Sequence, residues 1–261
     1  MNVSKSSSVV LTLAACLLAS ASSALAQAPE VPATEKDVAD DAARIAQKLA
    51  VCLASAETPV PAKGQDQELF ADRFDGRLQD GWQWVREDAS EWRIRDNQLE
   101  VRSQSGRIWG GNDAKNVLLR GPLKRQDLTA AVTVGHKPGE KWEQAGLLWY
   151  ADDDNFVKLI SEHIDGKMYV VTAREQAGKG AVIGKIEVPT ANLQLRLCVQ
   201  ADRVTGQWRL QSGDAWSEAG TCEFSAQPAP RFGLFTQNGP QAETRWVRFD
   251  DFTICAAAED R

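Results

Sequence analysis

Gln144-Ala145-Gly146-Leu147-Leu148-Trp149-Tyr150 and Phe156-Val157-Lys158-Leu159-Ile160-Ser161-Glu162, separated by Ala151-Asp152-Asp153-Asp154-Asn155, decide the fold class. Both runs are short, apolar and aromatic, and the acidic spacer reads as a tight turn. Side chains alternate between faces along a strand. Pairing the runs across the spacer puts Ala145, Leu147 and Trp149 on one face with Val157, Leu159 and Ser161. That face is mainly apolar and is expected to be core. The other face carries Gln144, Tyr150, Lys158 and Glu162, a polar set with one aromatic ring.

The same texture extends outward. From about residue 66, runs rich in Val, Ile, Leu, Trp and Phe alternate with turn signals such as Asp75-Gly76, Asp96-Asn97, Asp165-Gly166 and Ser212-Gly213-Asp214. No helical period persists there, and no internal repeat is present. The expected fold is all-β, a sandwich of two antiparallel sheets over residues 65–256.

Upstream, the pattern changes. Lys5, the apolar run Val9 to Leu18 and the small residues ending in Ala24-Leu25-Ala26 have the layout of a cleavable export signal, residues 1–26. The run is too short for a membrane span, so no transmembrane segment is expected and the protein is expected to be periplasmic or secreted. Leu13-Ala14-Ala15-Cys16 offers an alternative lipoprotein site, but the chain stays apolar past Cys16, which fits cleavage after Ala26 better. Residues 27–64 form an N-terminal segment. Val38, Ala42, Ile45, Leu49 and Leu53 recur at helical spacing within it, giving an amphipathic helix over about 35–55. Thr58-Pro59-Val60-Pro61 ends it as a linker.

The formal charge of −6, mixed in sign and without a basic stripe, excludes nucleic acid as an expected partner. Cys52, Cys198, Cys222 and Cys255 remain after cleavage, and an even number in an exported chain suggests disulfides whose pairing the sequence does not choose. With His136 and His163 as the histidines, no His/Cys metal site is expected and no cofactor is called for. Asp152, Asp153, Asp154 and Asn155 supply clustered oxygens but lack a calcium-loop pattern, while Asp250 and Asp251 are candidates for a structural calcium.

Several segments, in order, resemble one family. They are Leu69-Phe70-Ala71-Asp72-Arg73-Phe74-Asp75-Gly76, Gly81-Trp82-Gln83-Trp84-Val85-Arg86-Glu87-Asp88, Trp92-Arg93-Ile94 and Asn116-Val117-Leu118-Leu119-Arg120. Glu143 to Tyr150, Asp153 to Leu159, Gly233-Leu234-Phe235 and Phe249-Asp250-Asp251-Phe252 follow. Together they resemble the concanavalin A-like domain at the C-terminus of bacterial β-xylosidases, a domain also similar to stand-alone secreted bacterial proteins of unknown function. The resemblance covers about residues 66–255. It implies a jelly roll with a concave and a convex sheet, the first strand near Phe70–Phe74 beside the last near Phe249–Ile254, and an accessory role toward glycans. No counterpart of the catalytic propeller of those enzymes is expected in this sequence.

Within that frame the expected partner is an oligo- or polysaccharide held on the concave sheet. Sugar rings stack on aromatic faces and their hydroxyls need polar neighbours. Nine tryptophans are present, most of them expected in the core. Trp109 stands apart in Arg107-Ile108-Trp109-Gly110-Gly111-Asn112, beside two glycines. The candidate site is therefore Trp109 for stacking, with Gln144, Tyr150, Lys158 and Glu162 as polar and edge contacts. The rival for these residues is an ordinary solvated face.

Two other function classes remain in play. A glycosidase commonly needs two carboxylates. The Glu-x-Asp-x-x-Glu and Glu-x-Asp-x-Glu strands of sandwich glucanases are absent, as is Gly-x-Ser-x-Gly. Glu162 and Glu175 are the remaining pair, so the expectation leans away from catalysis. The third class is a protein-interaction module using helix 35–55 or the sheet face.

Overall fold

The computed structural model describes residues 67–121, 123 and 127–256. The export signal, helix 35–55 and Cys52 lie outside them.

Two antiparallel sheets stack face to face. The first has the order Ser217–Glu223 (β13), Arg203–Arg209 (β12), Leu193–Gln200 (β11), Asp127–Gly135 (β6), Trp246–Ala256 (β15), Gln98–Arg102 (β4) and Trp92–Arg95 (β3), with Gln67–Asp72 (β1) also pairing β15. The second runs Lys179–Val188 (β10), Lys167–Gln176 (β9), Asn155–Ile164 (β8), Gln144–Asp152 (β7), Arg231–Gln237 (β14), Val117–Arg120 (β5) and Trp82–Val85 (β2). First and last strands are neighbours, with Phe70 opposite Ile254 and Asp72 opposite Phe252, as the family resemblance implies.

Burial differs between the sheets in a way that the sequences explain. In β11, Leu193, Leu195, Leu197 and Val199 are buried and the intervening Gln194, Arg196 and Cys198 are not. That alternation marks a sheet with one face in water. In β7 and β8 nearly every residue is buried, which requires cover on both faces. One cover is the first sheet. Ala145, Leu147, Val157 and Leu159 meet Leu195, Leu197, Phe249 and Ile254 in the interlayer core, with Trp149 packed against it. Each buried Leu, Val, Ile or Phe among them contributes roughly 1.5–3 kcal/mol by leaving water.

The other cover is the connection between β4 and β5. Ile108 and Ala114 from this strap join Leu148, Tyr150, Phe156, Ile160, Val171, Ala173 and Phe235 in a second buried cluster on the outward face. The hairpin thus has the expected pairing, with Tyr150 opposite Phe156 and Gln144 opposite Glu162, and the expected inward face. Its turn is tighter than the full spacer, since Asp152 pairs Asn155. Its outward face is not a solvated sheet surface, because residues far upstream lie across it.

The sheet registers also decide the cysteines. Cys198 alternates to the outer face of the first sheet, whereas Cys222 is buried and belongs to the interlayer core. Cys198 and Cys255 both lie opposite Thr129, one strand to either side. Two strand spacings, about 9–10 Å, exceed the Cα separation that a disulfide spans. The expected disulfides are therefore not formed among the described cysteines.

Candidate functional site

Strands place the floor of the site and the strap places its wall. Gln144 starts β7, and Lys158 and Glu162 lie on β8 two turns of the pleat apart, all on the outward face. Lys158 Nζ donates to Gln144 Oε1 at 2.9 Å. Gln144 Nε2 in turn donates to Glu162 Oε1. The amide therefore links an ammonium to a carboxylate, its oxygen toward the cation and its nitrogen toward the anion. All three side chains are buried, Lys158 to 1 % exposure.

The strap is anchored at three places across the sheet. Ile108 N donates to Gln237 Oε1 at 2.9 Å on β14. Asn112 Nδ2 donates to Asp154 Oδ1 at 3.2 Å in the β7–β8 turn. Asn238 N, past β14, also donates to Gly106 O at 2.9 Å. Trp109 is thereby laid toward β10, where a side chain at Gly180 would meet its indole ring directly. Lys158 Nζ sits 4.9 Å from the centroid of that ring. The glycine that matters for Trp109 is thus Gly180 across the sheet, as well as its chain neighbours.

These groups border a cavity of about 460 Å³. Trp142 closes the opposite side. It is 54 % exposed, the most exposed tryptophan among the large apolar side chains left open to solvent. Its φ of 64° is in the left-handed region, held there by Trp142 N donating to His163 O at 2.8 Å and Asn238 Nδ2 donating to Trp142 O at 2.9 Å. Arg107, Lys185, Gln237 and Asn238 complete the polar lining, and Ile160, Val171 and Val182 the apolar lining.

Electrostatics follow from burial. Desolvation lowers Lys158 to about 8, although the carboxylates of Glu162 and Glu175 pull the other way. Desolvation also raises Glu162, against the Gln144 hydrogen bond and Lys158. Glu175 is raised for the same first reason, with Asp154 adding to it.

Of the residues expected from sequence, Trp109, Gln144, Lys158 and Glu162 come together. Tyr150 does not join them. Its ring is in the second cluster, and its hydroxyl donates to Asp153 Oδ1 at 2.9 Å, beside the Arg86–Asp153 ion pair at 2.7 Å. Burial first, and Asp153 second, push that phenol above its usual range. The acidic turn is organised by its own contacts, Asp152 Oδ1 accepting from Asp154 N and Asn155 Nδ2. Asp250 Oδ1 accepts from Asp251 N and Asp250 Oδ2 from Gln98 Nε2. Sequence reasoning missed Arg107, Trp142 and Lys185. Arg107 stands two residues before the chosen Trp109, while Trp142 stands in a loop before β7 with no pattern to select it.

The pair Glu162 and Glu175 is too far apart to act together. Glu175 lies opposite Phe156 and Glu162 opposite Tyr169. The offset from 156 to 162, at about 3.3 Å per residue, sets their Cα atoms roughly 20 Å apart. Paired glycosidase carboxyls need about 5–10 Å.

The architecture is that of a concanavalin A-like sandwich with a roofed cavity on one sheet. The chain belongs to the family of β-xylosidase C-terminal concanavalin A-like domains, whose model matches residues 71–254. Among solved structures it is similar to the GH43 protein BlXynB of Bacillus licheniformis (TM-score 0.65, 22% identity, 76% of this chain and 41% of that one). It is also similar to the xylan β-1,4-xylosidase of Bacillus halodurans C-125 (0.63, 18%, 75% and 41%). A functionally unknown protein from Saccharomyces cerevisiae matches over nearly its whole length (0.57, 16%, 69% and 98%). At these identities the likeness shows the fold. The chain spans only about two fifths of the two bacterial proteins. No curated protein matches it.

Proposed function

We propose that this protein is an exported, non-catalytic carbohydrate-binding module that holds its glycan in the cavity between Trp109 and Trp142. The observation that carries the proposal is the pairing of two indole walls with a buried Lys158–Gln144–Glu162 floor around about 460 Å³. Cavities of roughly 300–1,000 Å³ with a few convergent polar groups are typical of small-ligand sites. Indoles offer the apolar faces that sugar rings stack on, and the floor offers both donors and acceptors for hydroxyls. The GH43 context of the solved relatives supports a glycan rather than another small ligand. The separation of Glu162 from Glu175 favours binding over hydrolysis.

The test is a glycan array read with the full chain, with and without calcium, followed by tryptophan-fluorescence titration of the hits. A defined glycan class is expected to bind, and Trp109→Ala or Trp142→Ala to weaken it about tenfold, the equivalent of ~1.4 kcal/mol. A blank array from protein that circular dichroism shows to be folded sinks the proposal.

Gly180→Val gives a second expected outcome. Its side chain would occupy the place of the Trp109 ring, while β10 is an edge strand that tolerates a β-branched residue. Glycan affinity should fall as far as in Trp109→Ala, with the thermal midpoint nearly unchanged. Wild-type affinity in this variant would show that Trp109 does not form the wall.

A further inference from the structure

We infer that the glycan of this cavity is acidic, its sugar units carrying carboxylate or sulfate groups that Lys158, Arg107 and Lys185 recognise. The inference rests on the glycan-binding reading and deepens it.

The lining contains three cationic side chains, Arg107, Lys158 and Lys185, against one carboxylate, Glu162. Among the described residues none of the three cations lies within 4.0 Å of a carboxylate. The three cations therefore lack a direct ion pair, and Glu162 and Glu175 bear on Lys158 only from beyond that distance. Lys185 Nζ rests over the Tyr169 ring at 4.0 Å, and Lys158 Nζ near the Trp109 ring at 4.9 Å. Both are contacts with π faces, which attract a cation without neutralising it.

Lys158 is the stronger argument. It sits in a central strand of the sheet between apolar neighbours, beside Ile160 and opposite Ala173, and is 1 % exposed. Withdrawing an ammonium from water costs several kcal/mol unless a counter-charge and hydrogen bonds compensate. Here its acceptor is the neutral amide of Gln144. Glu162 is held one group further away, on the other end of that amide. A neutral sugar hydroxyl would leave the ammonium as it is. An anionic oxygen entering the cavity would supply the missing charge, and a charge-assisted hydrogen bond is about twice as strong as a neutral one. The acidic group of a sugar lies at the ring edge. A ring stacked on Trp109 or Trp142 can therefore direct it to the floor, with the exposed Arg107 and Lys185 closing from the rim. The groups that bear on the charge of Lys158 are Glu162 on its own strand, Glu175 on β9, Lys185 on β10 and Arg107 on the strap.

The test uses the full chain and an array holding neutral, uronate-bearing and sulfated oligosaccharides together, with hits measured by calorimetry at low and high salt. Acidic glycans are expected to bind and their neutral counterparts to bind at least about thirtyfold more weakly. Affinity should fall several-fold between about 50 and 500 mM salt, as screening of the rim charges requires. The uronate and sulfate arms identify the acidic group. Lys158→Met should abolish the preference for acidic ligands. Should that variant not fold, Arg107→Gln and Lys185→Gln at the exposed rim should each reduce acidic binding about three- to tenfold, and more than they reduce neutral binding. Equal, salt-independent binding of neutral and acidic glycans would overturn the inference and leave the glycan site standing. No binding to any sugar by folded protein would overturn both.

Discussion

Glu143→Ala is expected to lower the unfolding free energy by about 3–5 kcal/mol, read as a shift of the urea midpoint. Glu143 is fully buried immediately before β7. Glu143 Oε2 accepts from Arg245 Nη1 at 2.7 Å, Gly139 N at 2.9 Å and Glu140 N at 3.2 Å. Glu143 Oε1 faces buried His136 Nε2 at 3.6 Å. Truncation strands two backbone donors and takes from the Arg245 guanidinium one of its two carboxylates, leaving Glu243. It also frees the connection between β6 and β7 that aims Trp142 into the cavity, so glycan affinity should fall together with stability. Glu140→Ala, exposed and three residues away, is the control and should stay within about 0.5 kcal/mol of wild type. Equal effects of the two substitutions would show that the buried carboxylate is not what fixes this connection.

The same network predicts how the protein responds to acid. Burial opposes the Glu143 carboxylate, but His136 and the N–H groups of Gly139 and Glu140 outweigh it and hold the group at about 2, below its usual 4.5. A depressed folded-state value stabilises fully above pH 4.5 and is lost as pH falls toward 2. His136 is lowered as well, chiefly by its burial. The unfolded chain takes up that proton first, so stability also declines as pH drops below 6.5. In Glu143→Gln the lower part of this decline, between pH 4.5 and 2, should flatten.

What was legible in the sequence follows the range over which each interaction acts. The alternation in Gln144–Tyr150 and Phe156–Glu162 fixed their pairing and their inward face, because one strand's period is enough to sort side chains. It also grouped Gln144, Lys158 and Glu162. It could not show that this face is roofed, since Ile108 and Trp109 arrive from a strap without periodicity, anchored to Gln237 some 129 positions away. Tyr150 misled for the same reason. Its hydroxyl is captured by Asp153, and Asp153 is in turn paired with Arg86, 67 positions upstream. Glu175 required the register of β9, which only the described turn at Asp165-Gly166 supplies. The place of Cys198 on an outer face was readable from Leu195, Leu197 and Val199 around it. That of Cys222 was not, because the register shifts between Gly206 and Gln207 in the neighbouring strand.

Gly146→Ala is expected to cost about 3 kcal/mol or more, a large share of the roughly 5–15 kcal/mol that holds a domain together. Gly146 lies on β7 between two partners, opposite Ile160 of β8 and Phe235 of β14. A methyl there would overlap the Leu159 carbonyl oxygen and come within 2.9 Å of Ile160 Cα and 3.0 Å of Leu195 Cδ1. The first two obstacles are backbone, and β8 cannot retreat without loosening its ladder to β9. The third belongs to the opposite sheet, so the methyl also pushes the layers apart. Alanine would ordinarily gain a few tenths to 1 kcal/mol by restricting the unfolded chain, and the overlap must exceed that gain. Gly166→Ala separates the causes. It has a φ of +82° but open space around it, so it should cost only ~1–2 kcal/mol of backbone strain. The two strands that Gly146 holds close also carry Gln144 and Lys158, whose hydrogen bond spans them. If close approach of β7 and β8 builds the floor of the cavity, Gly146→Ala loses stability and the Lys158-dependent ligand preference together. A variant with wild-type stability and ligand preference would mean that the floor tolerates the strands moving apart, and the reading of Gly146 as the point that fixes them would be wrong.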